Sequence, residues 1–392
     1  MSVVRQHLID PISCIRCDGC RLACGKKAIS KIDGTLVVDF GLCDGAGACV
    51  GMCDTGAIAS WRIVPADKPY SLAEQAAWGG LPDQAHFADA GDEAQVLEVE
   101  TPAGPHAPPS APHPQIGLFR DSAPATAVVV ANYKATADDG AAIHHVVLDV
   151  SASGMVLAEG QSMGVLAPGR DETGAPHAAR LYSVGSARSG EGGIAGHVAF
   201  TVKRVTEDHD GNACVGVCSN YLCDLAPGAA VAVTGPFGAT FLLPEDPAAR
   251  LLMICTGTGI APMRGMINHW VETGQARAND LRLVYGGRPL ADLPYVADLA
   301  DLVGRGQLAL DYALSRESGH AKTYVQDIVR AEACTIAAFL ADADAYVYVC
   351  GTKGMEEGLF AAFTDVFSEL DGGWSALREK MLQSGRLHIE TY

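Results

Sequence analysis

Three features predict a multidomain protein made of a small cysteine-rich α+β unit, an antiparallel β-barrel and a doubly wound α/β domain. Seven of the 13 cysteines fall in the first 53 residues. Short β-like runs punctuated by Gly, Pro and Asp fill the middle of the chain. From Arg250 onward, apolar strands alternate with helical stretches, the pattern of a parallel sheet covered on both faces. At 392 residues, two or three cores are expected rather than one.

Hydrophobic residues make up 48% of the chain, and 28 basic against 46 acidic side chains leave a net charge of −18. Such a balance gives no electrostatic footprint for nucleic acid or an anionic membrane. It reads as solubility, with an acidic docking face for a basic redox partner as the other reading. No run reaches the ~18 apolar residues of a membrane span, and the N-terminus lacks a signal-peptide core. An odd cysteine count, crowded at one end and otherwise scattered in apolar sequence, suggests metal ligands plus reduced thiols. A soluble, cytoplasmic protein is expected.

In chain order, residues 1–63 form the cysteine-rich unit. Its two similar halves each run from a cysteine cluster to an Ala-Ile pair, Ala28-Ile29 and Ala57-Ile58, an internal repeat. Residues 64–118 turn to Ala, Pro, Asp and Gly and read as an extended linker with solvated histidines. Residues 119–248 carry barrel strands around 127–130, 145–148 and 197–202. Residues 249–392 carry strands at 251–255, 281–285, 309–314 and 346–350, of which 309–314 has the weakest pattern.

Cys14-x2-Cys17-x2-Cys20-x3-Cys24 has the spacing of a bacterial ferredoxin-like domain, in which three thiolates of one tight loop grip a cluster and the fourth serves its neighbour. Zinc usually takes paired Cys-x2-Cys units instead. The second run, Cys43-x2-Ala46-x2-Cys49-x3-Cys53, has alanine where a thiolate should stand. By the cross-over, Cys14, Cys17, Cys20 and Cys53 would hold a 4Fe–4S cluster. Cys24, Cys43 and Cys49 remain for a second cluster, either 3Fe–4S or a 4Fe–4S cluster whose fourth iron is labile or takes water or another ligand. Gly25 and Asp54 replace the motif's prolines, and Asp44, beside the gap, reads as a surface residue.

In Arg180-Leu181-Tyr182-Ser183, a guanidinium suits a pyrophosphate and a tyrosine ring offers a flat face for an isoalloxazine. Ser183 can hydrogen-bond at the flavin's reactive edge. Gly216-Val217-Cys218-Ser219 opens a short helix whose backbone N–H groups can hold phosphate. Cys218 and Cys223 read as packed thiols. Gly257-Thr258-Gly259 falls between a strand and a helix, where a nucleotide pyrophosphate belongs.

In order and spacing these segments resemble plant-type ferredoxin–NADP reductases over about residues 119–392. The resemblance implies FAD and NADPH as cofactors. It places Arg180, Tyr182, Ser183 and Lys203 at FAD and Gly216, Val217, Cys218 and Ser219 over its pyrophosphate. Gly257, Thr258, Gly259, Pro262, Gly351 and Met355 would bind the nicotinamide nucleotide. Ser315, Arg316, Lys322 and Tyr324 match the family's 2′-phosphate pocket, a site built from cationic and hydroxyl donors. The implied catalytic set is Ser183 and Cys350 beside the nicotinamide, Glu390 at an acidic position near the flavin, and Tyr392 stacked over the ring until nicotinamide displaces it. A cysteine module, a Pro-rich linker and a reductase together resemble the reductase component of aerobic benzoyl-CoA epoxidase systems. That implies a separate di-iron oxygenase as electron acceptor, although Ala46 departs from that family's two-cluster pattern. The alternatives are a general NADP:ferredoxin oxidoreductase with a built-in ferredoxin and, more distantly, a non-catalytic iron–sulfur sensor or scaffold.

Overall fold

The computed structural model describes residues 3–11, 14, 19–32, 35–47, 49–50, 53, 57–58, 60–84, 106–171, 174, 176–207 and 211–391. The chain divides into two compact units, Met1–His106 and Ala107–Tyr392.

The first unit runs β1 (Val3–Leu8), α1 (Gly19–Ala23), β2 (Ile29–Ile32), β3 (Thr35–Val38), β4 (Ser60–Pro65) and α2 (Leu72–Ala77). β1 pairs antiparallel with β4, and β2 with β3. Its two halves make matching backbone contacts. The Asp10 N–H donates to the Ala57 carbonyl at 2.8 Å, and the Asp39 N–H to the Ala28 carbonyl at 2.7 Å. The N–H groups of Cys14 and Cys43 bond back to the carbonyls of Asp10 and Asp39, both at 3.0 Å. Each half therefore closes on the buried Ala-Ile pair of the other.

Residues 64–84, expected to be linker, belong to this unit. Ser71 and Glu74 cap α2 reciprocally, and Gln75 bridges the N–H and carbonyl of Val38 at 2.9 Å each. Gln6 pairs in the same two-way fashion with the backbone of Tyr70, at 2.8 Å both ways. Arg62 donates to the Pro82 carbonyl at 2.7 Å, and Gln84 bridges the backbone of Ile63. Buried amides matched to main chain hold the segment, so its poor apolar content conceals it.

The second unit begins with β5 (Ala125–Lys134), β6 (Ile143–Asp149), β7 (Ser162–Leu166), β8 (Arg180–Ser183), β9 (His197–Lys203), α3 (Val217–Asp224) and β10 (Ala230–Phe237). The strands form an antiparallel sheet in the order β8-β7-β10-β5-β6-β9. Val184, next after β8, bridges Phe200 of β9 and closes the sheet into a barrel. Burial along β5 alternates, with Ala125, Ala127 and Val129 inward, as a strand with one core face requires. The end of the expected linker lies against this barrel. The Gly117 N–H donates to the Pro236 carbonyl at 2.8 Å, and the Gln161 amide to the Gln115 carbonyl at 2.9 Å. Linker residues 85–105 lie outside the described residues.

There follow β11 (Arg250–Thr256), α4 (Ile260–Glu272), β12 (Leu281–Gly287), α5 (Val296–Gly304), β13 (Ala309–Leu314), α6 (Val325–Ala331), α7 (Ala333–Leu340), β14 (Ala345–Gly351), α8 (Lys353–Val366), α9 (Gly373–Gln383) and β15 (Leu387–Thr391). The five strands pair in parallel in the order β13-β12-β11-β14-β15. Successive β11 residues enter opposite cores, Leu251 and Met253 with Trp270 on one face, Leu252 and Ile254 with Phe363 on the other. β13, weakest in the sequence, is an edge strand and only half-buried. The chain moves outward from β11 to β13 and then returns to β14, so the topology switches between β11 and β14. The crevice beyond their carboxyl ends is where such sheets bind nucleotides. No helix among the described residues is long and apolar enough to cross a membrane.

Candidate active site

Six of the residues expected at a flavin line one cavity of about 390 Å³: Arg180, Tyr182, Gly216, Val217, Cys218 and Ser219. β8 supplies the first two and the start of α3 the others. The Tyr182 ring lies 5.8 Å from that of Phe200, and its hydroxyl donates to the Cys218 sulfur. Cys218 in turn donates to the Val165 carbonyl at 3.6 Å. Burial first, and Cys218 second, push the Tyr182 phenol well above its ordinary pKa, so it stays a neutral donor. A Cβ on Gly216 would stand 2.6 Å from the Ser219 hydroxyl and 2.7 Å from the Val205 side chain, so only glycine allows this turn. The first N–H groups of α3 have no intrahelical partner, which suits an anion at its amino end. Ser183 ends β8 with its hydroxyl 3.5 Å from that of Ser162, and Lys203 is exposed at the end of β9. Neither lines the cavity, whereas His177 and Val205, which sequence reading passed over, do.

Gly257-Thr258-Gly259 make a 3₁₀ turn between β11 and α4. A Cβ on Gly259 would meet the Cys350 carbonyl oxygen at 2.3 Å, so the turn rests directly on the end of β14. There Cys350 is in register with Cys255 on one side and Glu390 on the other. Two residues far apart in the chain, one expected at the nicotinamide and one near the flavin, are thus strand neighbours. The Thr256 hydroxyl, beside Gly351, is buried without a partner among the described residues. A nucleotide oxygen would satisfy it. Pro262 and Met355 are buried in the first turns of α4 and α8. Tyr392 lies outside the described residues.

At the carboxyl end of β13, the Ser315 N–H and hydroxyl both donate to the Gly287 carbonyl at 3.0 Å. The Thr323 N–H returns to the Leu314 carbonyl at 3.0 Å, pinching the loop so that Ser315-Arg316 and Lys322-x-Tyr324 share one strand end. Lys322 Nζ lies 4.9 Å over the Tyr324 ring. Arg316 and Lys322 are exposed, and neither forms an ion pair among the described residues.

A model of the oxidoreductase NAD-binding domain matches residues 253–359. The cyanelle ferredoxin–NADP reductase of Cyanophora paradoxa is 39% identical over 243 residues, 60% of this chain and 67% of that protein. The ferredoxin–NADP reductase of Spirulina sp. is 32% identical over 290 residues, 71% of this chain and 98% of that one. The chain belongs to the ferredoxin–NADP reductase family. It is an NADPH-dependent oxidoreductase, with FAD and NADP(H) as its cofactors. The solved ferredoxin–NADP+ reductase from Plasmodium falciparum shares the fold, with a TM-score of 0.57 at 19% identity over 71% of this chain and 100% of that one.

The reductase also holds its two domains together through residues that no sequence pattern singled out. Arg264 of α4 donates to both Glu191 oxygens, at 2.7 and 2.8 Å, and to the Gly185 carbonyl at 2.7 Å. Arg188 and His269 converge on the buried Glu159, at 2.8 and 3.2 Å. Burial works to raise both carboxyls; hydrogen bonds from His269 and Arg188 to Glu159, and from His145 and Arg264 to Glu191, overcome it and hold each at about 2. These clamps fix the barrel against the nucleotide domain, and charged residues so far apart in sequence carry no local signal.

In the first unit Cys20 and Cys49 are buried, and Cys14, Cys24, Cys43 and Cys53 pack against the same small core. Burial raises the Cys49 pKa, and Cys24, Cys43 and Cys53 act on it as neighbouring charges. The Ala28 N–H points at the Cys24 sulfur at 3.3 Å, and none of the described cysteines is in a disulfide. Among the described residues no three Cys, His, Asp or Glu side chains converge as a single metal ion would require. In an iron–sulfur cluster each thiolate bonds a different iron, so the ligands need not converge on one point. Soft thiols gathered on one core fit that group in kind. Cys17 lies outside the described residues.

Proposed function

We propose that this reductase passes electrons from NADPH through FAD and two iron–sulfur clusters, held by a ferredoxin-like N-terminal unit, to a separate oxygenase. The acceptor is the di-iron epoxidase that acts on benzoyl-CoA in the aerobic breakdown of aromatic compounds, in a reducing cytoplasm. The observation that carries this reading is the reciprocal repeat of the first unit, which gathers soft thiols on the same chain as a flavin cavity and a nucleotide crevice. Such a chain joins a two-electron donor to one-electron carriers. Cys14, Cys17, Cys20 and Cys53 would hold a 4Fe–4S cluster, and Cys24, Cys43 and Cys49 the second.

Bound FAD takes the hydride's two electrons together and releases them singly. The chain's own part is positional. Arg180 and the first turn of α3 would bind the FAD pyrophosphate, with Lys203 a further contact, and Tyr182 would offer its ring to the isoalloxazine. The Gly257–Gly259 turn, Pro262, Gly351 and Met355 seat the nicotinamide nucleotide, while Ser315, Arg316, Lys322 and Tyr324 receive its 2′-phosphate. Ser183 and Cys350 would flank the nicotinamide, Glu390 would stand at the acidic position near the flavin, and Tyr392 would cover the ring until the nicotinamide displaces it. A di-iron site needs two Glu-x-x-His pairs. The chain has one, Glu317 to His320, and the Glu317 carboxylate accepts the Leu290 N–H at 2.7 Å. Oxygen activation therefore falls to the partner.

Reconstituted with FAD, iron and sulfide, the full chain should oxidise NADPH with one-electron acceptors, leave benzoyl-CoA untouched alone, and drive its epoxidation once the epoxidase is added. Reduction of many small ferredoxins without support of the epoxidase would instead identify a general NADP:ferredoxin oxidoreductase.

A further inference from the structure

Along β5, Ala125, Ala127 and Val129 face the barrel core, but the pairing with β6 shifts between Val129 and Ala131 and leaves Val130 without an opposite residue. Such a bulge re-aims the residues beyond it. Simple alternation would bring Ala131 to the inner side next; with the bulge, Asn132 instead stands opposite Val146, a buried member of the barrel core. A polar side chain is thereby turned toward α3.

The Asn132 amide nitrogen donates to the carbonyls of Leu222, Cys223 and Leu225, at 2.9, 3.3 and 2.8 Å. These carbonyls stand at the carboxyl end of α3, where the intrahelical ladder runs out. Because carbonyls only accept, the nitrogen must face them, and Asn132 Oδ1 is left to accept the His144 Nδ1–H at 2.8 Å. His144 thus locks the amide in its working orientation. Arg204 serves the same end, reaching Asp224 at 2.6 Å and Asn220 at 3.0 Å.

The amino end is held differently, by the helix's own side chains: Asn220 donates to the Val205 and Gly216 carbonyls at 2.8 Å each, and the Ser219 hydroxyl to the Gly216 carbonyl at 3.2 Å. Gly216 offers no side chain to cap the first N–H groups. The carboxyl end is therefore closed by the barrel while the amino end stays open to an anion. With eight residues, about two turns, a shift at one end of this helix reaches the other.

We infer that Asn132, held by His144, is a positioning residue for the flavin: it fixes the carboxyl end of α3 and so sets where the first-turn N–H groups meet the FAD phosphates. Asn132 is not among the residues lining the flavin cavity, so it acts through the helix. The inference rests on the FAD placement proposed above.

The test displaces FAD from full-length holoprotein with FMN and with riboflavin, which differ from each other by one phosphate, and follows flavin fluorescence. Wild-type protein should prefer FAD and FMN to riboflavin. Asn132→Ala should cut that preference roughly tenfold, the worth of one or two hydrogen bonds, with riboflavin affinity unchanged. Asn132→Asp, of equal size but with oxygens facing three carbonyls, should cut it further. His144→Ala, at a half-buried position, should give a smaller fall of the same kind. An unchanged preference in the Asn132 variants, or equal weakening of all three flavins, would overturn the inference. Should the Asn132 variants fail to fold, the same two results in His144→Ala would overturn it. Wild-type protein that binds FMN no better than riboflavin would instead overturn the placement of the phosphates at α3.

Discussion

Replacing Arg316 with alanine should separate NADPH from NADH. Arg316 is exposed and forms no ion pair among the described residues, so its loss takes nothing from the fold. The cost appears only when a 2′-phosphate is present. A hydrogen bond to a charged group contributes about 1.5 to 3 kcal/mol, which corresponds to roughly 10- to 150-fold in affinity. The site is open, so water and salt screen the pair, and the lower part of that range is expected at physiological ionic strength with a larger effect at low salt. NADH lacks the phosphate and should be used as before. Lys322→Ala should cost less, because the ammonium is partly engaged by the Tyr324 ring 4.9 Å away. Steady-state kcat/KM for both nucleotides at two salt concentrations, with a small one-electron acceptor, supplies the measurement. An equal fall for NADPH and NADH, or no salt dependence, would refute the placement of the phosphate at this loop.

On the proposed placement of Tyr392 over the flavin, Tyr392→Ser should tighten nicotinamide binding and relax the preference for NADPH, because a competing ring would be removed; titrations with unchanged affinities would put that ring elsewhere. Burial pushes His388 down to about 4 from an ordinary 6.5. The unfolded chain therefore takes up its proton first as the pH falls, and stability intact above pH 6.5 is lost progressively toward pH 4, by about 3 kcal/mol. His388→Gln should flatten that slope in thermal unfolding of the reductase unit, and an unchanged slope would assign it to other groups. Removing residues 1–84 should preserve NADPH oxidation and abolish delivery to the epoxidase. Full-rate epoxidation by the truncated chain would take the thiols off the electron path.

The barrel and the parallel sheet were legible because their strands carry apolar periods, alternating in β5 and nearly continuous in β11 and β14. Gly216 and Gly259 were legible because close backbone approach at a helix start leaves no room for a side chain. Residues 64–84 and 106–118 were not, since glutamines and main-chain bonds hold them where composition suggests a linker. The Glu159 and Glu191 clamps escaped for a related reason. Each joins charged residues from separate elements, and no local spacing announces such a meeting.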